Sequence, residues 1–590
     1  MKKIIYLLGI IVPITFWSCD DALGTKYNNT FGDEYTWTLP DVALGVLMNA
    51  YNNIPSSPNS YGNDFLDVAT DNALTGTRSS SLYRFTQGGL NANSNALNNW
   101  SLAYDQFQHI HAFMENGLGE NISYNLSDSI RDKKIRDRSR GEAYFLRAWW
   151  GMELLKVFGG ITEDGQALGY PIITKFVTEE DREEINKKPR NTYEECVLQI
   201  IADCDSAFKY LPLAYVGGDV DLGSTQEGRA SGKAALALQS RAALFGASPA
   251  YQPTGSQALS PDSLQKKWER VVTLSERAIT LGNLGAYTAL KENMYVGTSV
   301  QQTTNAEFLF RKWANNNTLE RQNFPPLFFG QGRTNPSQNL VDAYPSKNGY
   351  PISDIRSGYD SQNPYVNRDD RFDLTFFYNG KVFNSERPLE IYTWGESIKG
   401  RDVAGYDYNN TITGYYLKKF LSPMKEMLYD PATLSAKNDY HQYPLLRRAE
   451  VYYNLAEALN ELAGASGTVS GSSRTAYGII RDIRNKNGIT STSYLDEIVA
   501  ESDKNKFLSL ILNERRLEFA FENERFFDLR RRMMPLNESI KGITTEKNET
   551  GFSYSQIVVE QRSMTDNYQY MPLPYIETLK NPNLIQNKGW

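Results

Sequence analysis

The stretch from Phe507 to Met533 constrains the fold of this chain most, because it joins an apolar helical stripe to an unusual density of charge. Apolar residues at steps of three and four form one face of an α-helix. The stripe consists of Phe507, Leu508, Leu510, Ile511, Leu517 and Phe521, and the charges beside it are Glu514, Arg515, Arg516, Glu518, Glu522, Glu524, Arg525, Asp528 and Arg530. A solvated charged face is one reading, but Phe526, Phe527 and Leu529 alternate closely with the charges. We therefore predict that several charges are buried in paired networks and form a structural clamp, not a catalytic centre.

The same helical signal recurs on both sides of a long irregular region. Arg140–Gly160 and Tyr443–Gly464 each carry an apolar stripe and end at glycine, a common helix terminator. Between residues 282 and 439, by contrast, Gly, Pro, Asn, Tyr and Trp become frequent and helical periodicity largely disappears. Pairs of amphipathic helices suggest a tetratricopeptide-like stack, but no strict repeat of about 34 residues is visible. The pattern alone therefore predicts a mostly α protein.

The charge and aromatic content of the chain indicate which classes of partner it could bind. The net charge is −7 and the pI about 5.4, without a long basic run, so nucleic acid is an unexpected partner. Aromatic residues make up 12% of the chain, including 37 Tyr and 9 Trp, while the mean hydropathy is −0.50. These values fit a water-facing protein with aromatic surface on which sugar rings could stack. A tyrosine-rich core would give the same composition, so the observation is only a hint.

Residues for common catalytic chemistry are scarce. His109 and His111 are two positions apart, about 200° around a helix, and cannot share a metal ion. Cys196 and Cys204 are separated by eight helical residues, roughly 12 Å, which is too far for a disulfide. We therefore expect no enzyme activity, no cofactor and no metal. Two alternatives stay open: a two-carboxylate glycosidase, which spacing cannot exclude, and a calcium site at Asp219 and Asp221, which lacks the other EF-hand ligands.

The N-terminus has the pattern of an export signal. Lys2 and Lys3 precede an apolar run that ends at Trp17 and is too short to span a membrane. Ser18-Cys19 follows in a segment similar to a bacterial lipobox, although aromatic residues occupy positions that are usually small or aliphatic. We predict a lipoprotein signal peptide over residues 1–18, lipidation of Cys19 and a flexible tether over residues 19–38. The alternative is a secreted protein with an incidental cysteine.

Several segments, in order along the chain, resemble motifs of the RagB/SusD family, the surface nutrient-binding lipoproteins of Bacteroidetes. They are NPSQNLVDAY (Asn335–Tyr344), RDDRFDLTFFYNG (Arg368–Gly380), YYLKKFLSP (Tyr415–Pro423), ERRLEFAFENERFFDLRRR (Glu514–Arg532) and the C-terminal YMPLPYIETLKNPNLIQN. Asp370 stands where the family usually has proline. The resemblance runs from Cys19 to Trp590.

The resemblance implies a fold and a domain organisation. The expected fold is a mostly α, SusD-like solenoid of tetratricopeptide-like helix pairs with a long irregular ligand-binding insertion. We expect an N-terminal helical region over residues 39–281 and a C-terminal region over residues 282–590. The latter is expected to be irregular over 282–439 and helical over 440–590. Both regions are expected to pack as one compact unit.

The resemblance also implies a function. It predicts a lipid-anchored protein of the outer-membrane surface that binds a glycan without catalysis and delivers it to a SusC-like TonB-dependent transporter. A peptide ligand in the same role, or a surface glycoside hydrolase, are the alternatives. Candidate ligand contacts come from irregular segments that match the family's binding region in order. They are Trp313, Tyr295 and Tyr83 for stacking, and Asp71, Asn72 and Asn315 for hydrogen bonding.

Overall fold

The computed structural model describes residues 33–297, 305–382, 388–395, 397–403, 405, 410–422 and 438–590. The predicted signal peptide, Cys19 and most of the predicted tether lie outside these residues. The α-helices are α1 (Asp33–Thr36), α2 (Pro40–Asn52), α3 (Ser81–Arg84), α4 (Trp100–Ala112), α5 (Ser129–Phe158), α6 (Arg182–Ile185), α7 (Tyr193–Tyr210), α8 (Gly232–Ala247), α9 (Pro261–Leu281), α10 (Thr318–Asn323), α11 (Gln338–Ala343), α12 (Asp370–Thr375), α13 (Arg448–Ala463), α14 (Ala476–Lys486), α15 (Ser493–Ala500), α16 (Lys504–Glu518), α17 (Arg525–Arg531) and α18 (Tyr575–Lys580).

The strands are short, with four exceptions of nine or ten residues. They are β1 (Ala73–Thr75), β2 (Gly160–Ile161), β3 (Ala167–Leu168), β4 (Val296–Gly297), β5 (Phe308–Asn316), β6 (Thr334–Pro336), β7 (Phe376–Phe377), β8 (Thr393–Trp394), β9 (Ile398–Lys399), β10 (Tyr416–Leu417), β11 (Asp439–Arg447), β12 (Ile540–Asn548) and β13 (Gly551–Glu560). Two larger sheets result, with strand orders β4-β11-β5 and β13-β12-β8-β9.

Local sequence signals set the ends of the long helices. The Asp128 side chain accepts hydrogen bonds from the backbone N–H groups of Ile130 and Arg131 and thereby caps α5. Helix α7 begins with a reciprocal capping box between Thr192 and Glu195. The caps fix where each helix begins, and α5 and α7 pack against each other along their lengths.

The long helices stack in sequence. Helix α5 packs on α7, α7 on α8, α8 on α9, and α9 on α13, which also contacts α14 and α16. Helix α8 makes the central contacts possible because it is rich in small residues. At Gly246, for example, an added Cβ atom would lie 3.2 Å from the Val197 side chain. The predicted mostly α architecture is confirmed.

Two extended regions were not predicted from the sequence. Strand β5 lies in the part described as irregular, and it pairs along its length with β11. The hairpin of β12 and β13 lies in the part expected to be helical.

The predicted clamp is confirmed as a network of buried ion pairs around α16 and α17. Arg371 bonds Glu514 at 2.6 Å, and Arg447 bonds Glu518 at 2.5 Å, with the side chains of all four residues no more than 2% exposed. Arg447 also reaches Glu522 at 2.9 Å. The partner cations lie on other elements of the fold, so the network joins segments that are far apart in sequence. Breaking one pair would leave a buried charge uncompensated.

Cys196 and Cys204 are buried and form no disulfide with each other, as predicted. Burial raises the pKa of the Cys196 thiol to about 12, so this thiol stays protonated.

In the part of the chain that the structure describes, none of the helices has the length and apolar character needed to cross a bilayer.

Candidate ligand-binding site

The paired strands β5 and β11 present four side chains on one face, which we call the ribbon site: Trp313, Asn315, Tyr440 and Gln442. Trp313 and Asn315 are two residues apart on β5 and so point to the same side. In the antiparallel register Trp313 lies opposite Gln442, and Asn315 lies opposite Tyr440. Directly opposed residues share a face of the sheet. The ladder therefore brings two predicted contacts together with two residues that the sequence analysis missed.

The ribbon site exposes an aromatic surface. Trp313 is 43% exposed, and its ring centroid lies 5.6 Å from that of Tyr440 with 48° between the ring planes. Asn315 is exposed and Tyr440 is half-buried. An exposed indole beside a phenol and an amide combines an apolar ring face with hydrogen-bonding groups. This combination suits a sugar ring, whose faces are apolar and whose edges carry hydroxyl groups.

Gln442 adds an amide whose bonding capacity is unused. Its side chain is fully buried, and neither its amide nitrogen nor its amide oxygen has a hydrogen-bond partner among the described residues. A buried polar group in this state costs about 1–3 kcal/mol. Because both atoms are sealed from solvent, a ligand reaches them only after a neighbouring side chain moves.

The opposite face of the same ribbon is anchored by a charged cluster. His441 Nε2 lies 2.8 Å from Glu320 Oε1 on α10, and the same oxygen accepts a 2.8 Å hydrogen bond from the backbone N–H of Ser422. The Ser422 hydroxyl donates to Asp439 at 3.1 Å. Burial alone would lower the pKa of His441, but the Glu320 carboxylate outweighs it and raises that pKa. The cluster fixes β11 and therefore the position of Tyr440.

Three other predicted contacts are buried structural residues. Tyr295 is 3% exposed, donates a 3.0 Å hydrogen bond to Glu522, and has a pKa raised by burial. Asn72 is fully buried, donates to Asp67 at 2.8 Å and accepts from Arg516 at 2.7 Å.

Asp71 is likewise committed to the protein. It receives two hydrogen bonds from Arg525, at 3.0 and 2.9 Å, and lies 3.0 Å from Arg516. Burial alone would raise the pKa of Asp71, but the two guanidinium groups hold it well below its usual range. Tyr295, Asn72 and Asp71 are therefore removed from the predicted contact set, because their polar atoms already have protein partners.

Tyr83 and the weak calcium alternative lie on other parts of the structure. Tyr83 on α3 is half-buried beneath Arg78, whose guanidinium lies 4.6 Å from the ring centroid and bonds Glu560 at 3.0 Å. The carboxylate of Asp219 pairs with Lys134 at 2.8 Å, and that of Asp221 pairs with Arg131 at 2.7 Å. Across the described ranges, no three His, Cys, Asp or Glu side chains converge as metal ligands would.

A cleft beside α4 is less suited to stacking. It has a volume of about 390 Å³ and is lined by Trp100, Tyr104 and Pro171. However, the Trp100 ring is 5% exposed and packs against Tyr104 and Phe158, with centroid distances of 5.4 and 5.2 Å. The faces of the Trp100 ring are therefore already covered by protein. The ribbon site is therefore the better candidate.

Comparison with known proteins places the chain in a family. The family model described as "SusD family" matches residues 286–590, just over half of the chain. The chain belongs to the SusD family. A second model, described as "Starch-binding associating with outer membrane", matches residues 41–244, so SusD-related models cover both halves of the chain. No curated protein matches the chain.

Solved structures of SusD-like proteins share the fold. A SusD-like protein from Bacteroides fragilis aligns with a TM-score of 0.69 at 22% identity, covering 95% of this chain and 99% of its own. A SusD-like carbohydrate-binding protein from the same species gives 0.65 at 20% identity, with coverage of 93% and 99%. Surface glycan-binding protein A from Bacteroides uniformis gives 0.57 at 16% identity, again with coverage of 93% and 99%. At these identities the likeness concerns the fold alone.

Proposed function

We propose that this SusD family member is a cell-surface lipoprotein that binds a glycan at the ribbon site and delivers it to a SusC-like TonB-dependent transporter. Lipidated Cys19 would anchor it to the outer membrane. The protein would capture its ligand and leave the ligand's bonds intact. The observation that carries the binding proposal is the exposed Trp313 ring beside the half-buried Tyr440 ring on a paired strand ladder.

The ribbon site is suited to capture in three respects. The Trp313 and Tyr440 rings offer stacking surface, the exposed Asn315 offers a donor and an acceptor, and the His441–Glu320 pair holds the ladder in place behind them. Sites built on strands are positioned more precisely than sites on loops. A shallow exposed surface also suits a long polymer, which could not enter a closed cavity. The second family model, with its description of starch binding and outer-membrane association, supports the same assignment.

The first test is a titration of the purified full chain against a panel of soluble polysaccharides and peptide pools. We expect micromolar to millimolar binding to one polysaccharide and no release of reducing sugar. Trp313→Ala should weaken that binding by at least about tenfold, equivalent to about 1.4 kcal/mol. Tyr575→Ala is the matched control, because Tyr575 is an aromatic residue on α18 with a similar exposed fraction, 49% against 43% for Trp313.

The outcomes separate the candidate functions. Binding to peptides but to no glycan would overturn the sugar assignment and favour a peptide ligand. Release of reducing sugar by the purified protein would instead indicate a hydrolase. Unchanged affinity in Trp313→Ala, with an unchanged melting temperature, would remove the ribbon site from the proposal.

The anchoring and transport parts need separate measurements. Cys19→Ala should abolish incorporation of radiolabelled fatty acid and release the protein from the membrane fraction. Retention of the variant protein on the membrane with the label still incorporated would refute lipidation at this residue. For transport, a tagged chain should co-purify from native outer membranes with a TonB-dependent transporter, and deletion of that transporter should stop uptake of the bound glycan.

A further inference from the structure

A second aromatic surface lies at the exposed end of the four-stranded sheet, far along the chain from the ribbon site. We call it the sheet platform and define it as Tyr392, Trp394, Lys547 and Phe552. Its first two residues belong to the segment YTWGES, one of the aromatic stretches in the irregular region. The ribbon site uses none of these residues.

Strand register places the sheet platform on one face. Lys547 of β12 lies directly opposite Phe552 of β13. Glu546 of β12 pairs in parallel with Thr393 of β8, so the next residues along, Lys547 and Trp394, share a side. Trp394 in turn lies opposite Ile398 of β9. One row of side chains therefore crosses all four strands, a width of roughly 14 Å at the usual interstrand spacing.

The rings surround the lysine and remain accessible. The Lys547 ammonium lies 5.0 Å from the centroid of Tyr392 and 4.9 Å from that of Trp394, which are cation–π distances. The Tyr392 and Phe552 centroids are 5.5 Å apart. Trp394 is 42% exposed and Phe552 is 36% exposed, so stacking surface remains open to solvent beside the held cation.

Within the described ranges, no carboxylate neutralises the charge on the sheet platform. Lys547 forms no ion pair with any residue in the described part of the chain. Its strand neighbour Glu546 points to the other face because side chains alternate along a strand. The platform therefore joins open aromatic faces to a positive charge that has no carboxylate partner among the described residues.

These features select the class of ligand. A protein partner would need roughly 800 Å² of buried surface on each side, far more than four side chains supply. A sugar ring needs only a ring face to stack on, and a carboxylate or sulfate group on the sugar would neutralise Lys547. We propose that the sheet platform is a second glycan subsite, which binds an acidic polysaccharide through stacking on Trp394 and an ion pair with Lys547. The proposal rests on the glycan-binding function proposed above.

The test compares acidic and neutral polymers of matched backbone. The probes are polygalacturonate against its methyl-esterified form and dextran sulfate against dextran, titrated into the purified full chain. Lys547→Gln should weaken binding of the acidic probe by about tenfold, equivalent to about 1.4 kcal/mol, while Lys547→Arg should retain it. Trp394→Ala should weaken the same binding by a similar factor. Lys399→Gln is the matched control, because exposed Lys399 lies opposite Thr393 and so points to the other face of the same sheet.

Each outcome bears on the proposal. Selective binding of polygalacturonate would identify a uronate ligand, and selective binding of dextran sulfate would identify a sulfate ester. Either result supports the sheet-platform proposal if Lys547→Gln weakens the binding and Lys399→Gln does not. Equal losses of affinity in Lys547→Gln and Lys399→Gln would show that only the overall charge of the protein matters, and would overturn the proposal. Unchanged binding in both Trp394→Ala and Lys547→Gln, with unchanged melting temperatures, would also overturn it. In that case a loss in Trp313→Ala would leave the ribbon site and the proposed function standing.

Discussion

Substitution of Arg531 by methionine tests the buried ion-pair network where it joins α17 to α13. Arg531 on α17 donates hydrogen bonds of 2.6 and 2.8 Å to Glu457 on α13, and both side chains are fully buried. Burial alone would raise the pKa of Glu457, but Arg531 lowers it, so the carboxylate is charged at neutral pH. Removing the arginine leaves that charge without its main partner.

The size of the effect follows from what remains around Glu457. Loss of one partner of a buried pair costs about 3–5 kcal/mol. Arg532 lies 3.4 Å from the same carboxylate and would compensate partly, while Asp528 keeps Arg515 at 2.9 Å. We therefore expect Arg531→Met to lower the free energy of unfolding by about 3 kcal/mol, the lower end of that range.

Urea and thermal unfolding of matched variants provide the assay. Arg481→Met is the control, because Arg481 pairs with Asp482 at the surface and should contribute about 1 kcal/mol or less. Adding Glu457→Gln to Arg531→Met removes the uncompensated charge and should recover most of the loss. Equal losses in Arg531→Met and Arg481→Met, or no recovery in the double variant, would refute the reasoning.

Two further predictions concern pH. His441 has a folded-state pKa above its unfolded value, so its contribution to stability is complete below about pH 6.5 and disappears as the pH rises through the folded pKa. His441→Gln should therefore destabilise the protein at pH 5.5 and much less at pH 8.5 in thermal melts; a pH-independent difference would contradict this. The pKa shift of Asp71 has the opposite direction. Its folded-state pKa is depressed, so its contribution to stability is present above about pH 3.9 and is lost on acidification. Asp71→Asn should thus destabilise the protein at pH 7, with a difference that shrinks toward pH 3, and a constant difference would count against the ion pairs with Arg516 and Arg525.

The clamp was predictable from the sequence because its signal is local. Apolar spacing and interleaved charges within Phe507–Met533 indicate both a helix and buried pairing. Its partners were not predictable, because Arg371, Arg447 and Glu457 come from segments tens of residues or more away. Pairing over such distances depends on the tertiary fold.

The candidate site was predicted only in part. Trp313 and Asn315 were chosen from an irregular stretch, and both are exposed on β5. Asp71 and Tyr295 were chosen on the same ground, but irregular backbone does not imply exposure. Both are buried, and their polar atoms bond to residues of α16, α17 and the segment between these helices. Tyr440 was missed because β5 and β11 are more than 120 residues apart in sequence.

The hairpin of β12 and β13 could have been recognised. Residues 540–560 are rich in Ile, Val, Thr, Ser and aromatic residues, which favour strands, and Gly551 follows Asn548-Glu549-Thr550 at the turn. The neighbouring helical segments and the family resemblance led to a helical expectation instead. The position of Lys547 between Tyr392 and Trp394 could not be predicted, because it depends on the pairing of β12 with β8.

The central claim is that the ribbon site holds the glycan, and a crystal structure of the full chain with the tightest-binding oligosaccharide tests it most directly. We predict density for a sugar ring stacked on Trp313 and Tyr440, with a hydroxyl group within hydrogen-bond distance of the Asn315 amide. A sugar bound elsewhere, with the Trp313 face empty at saturating ligand, would contradict the claim.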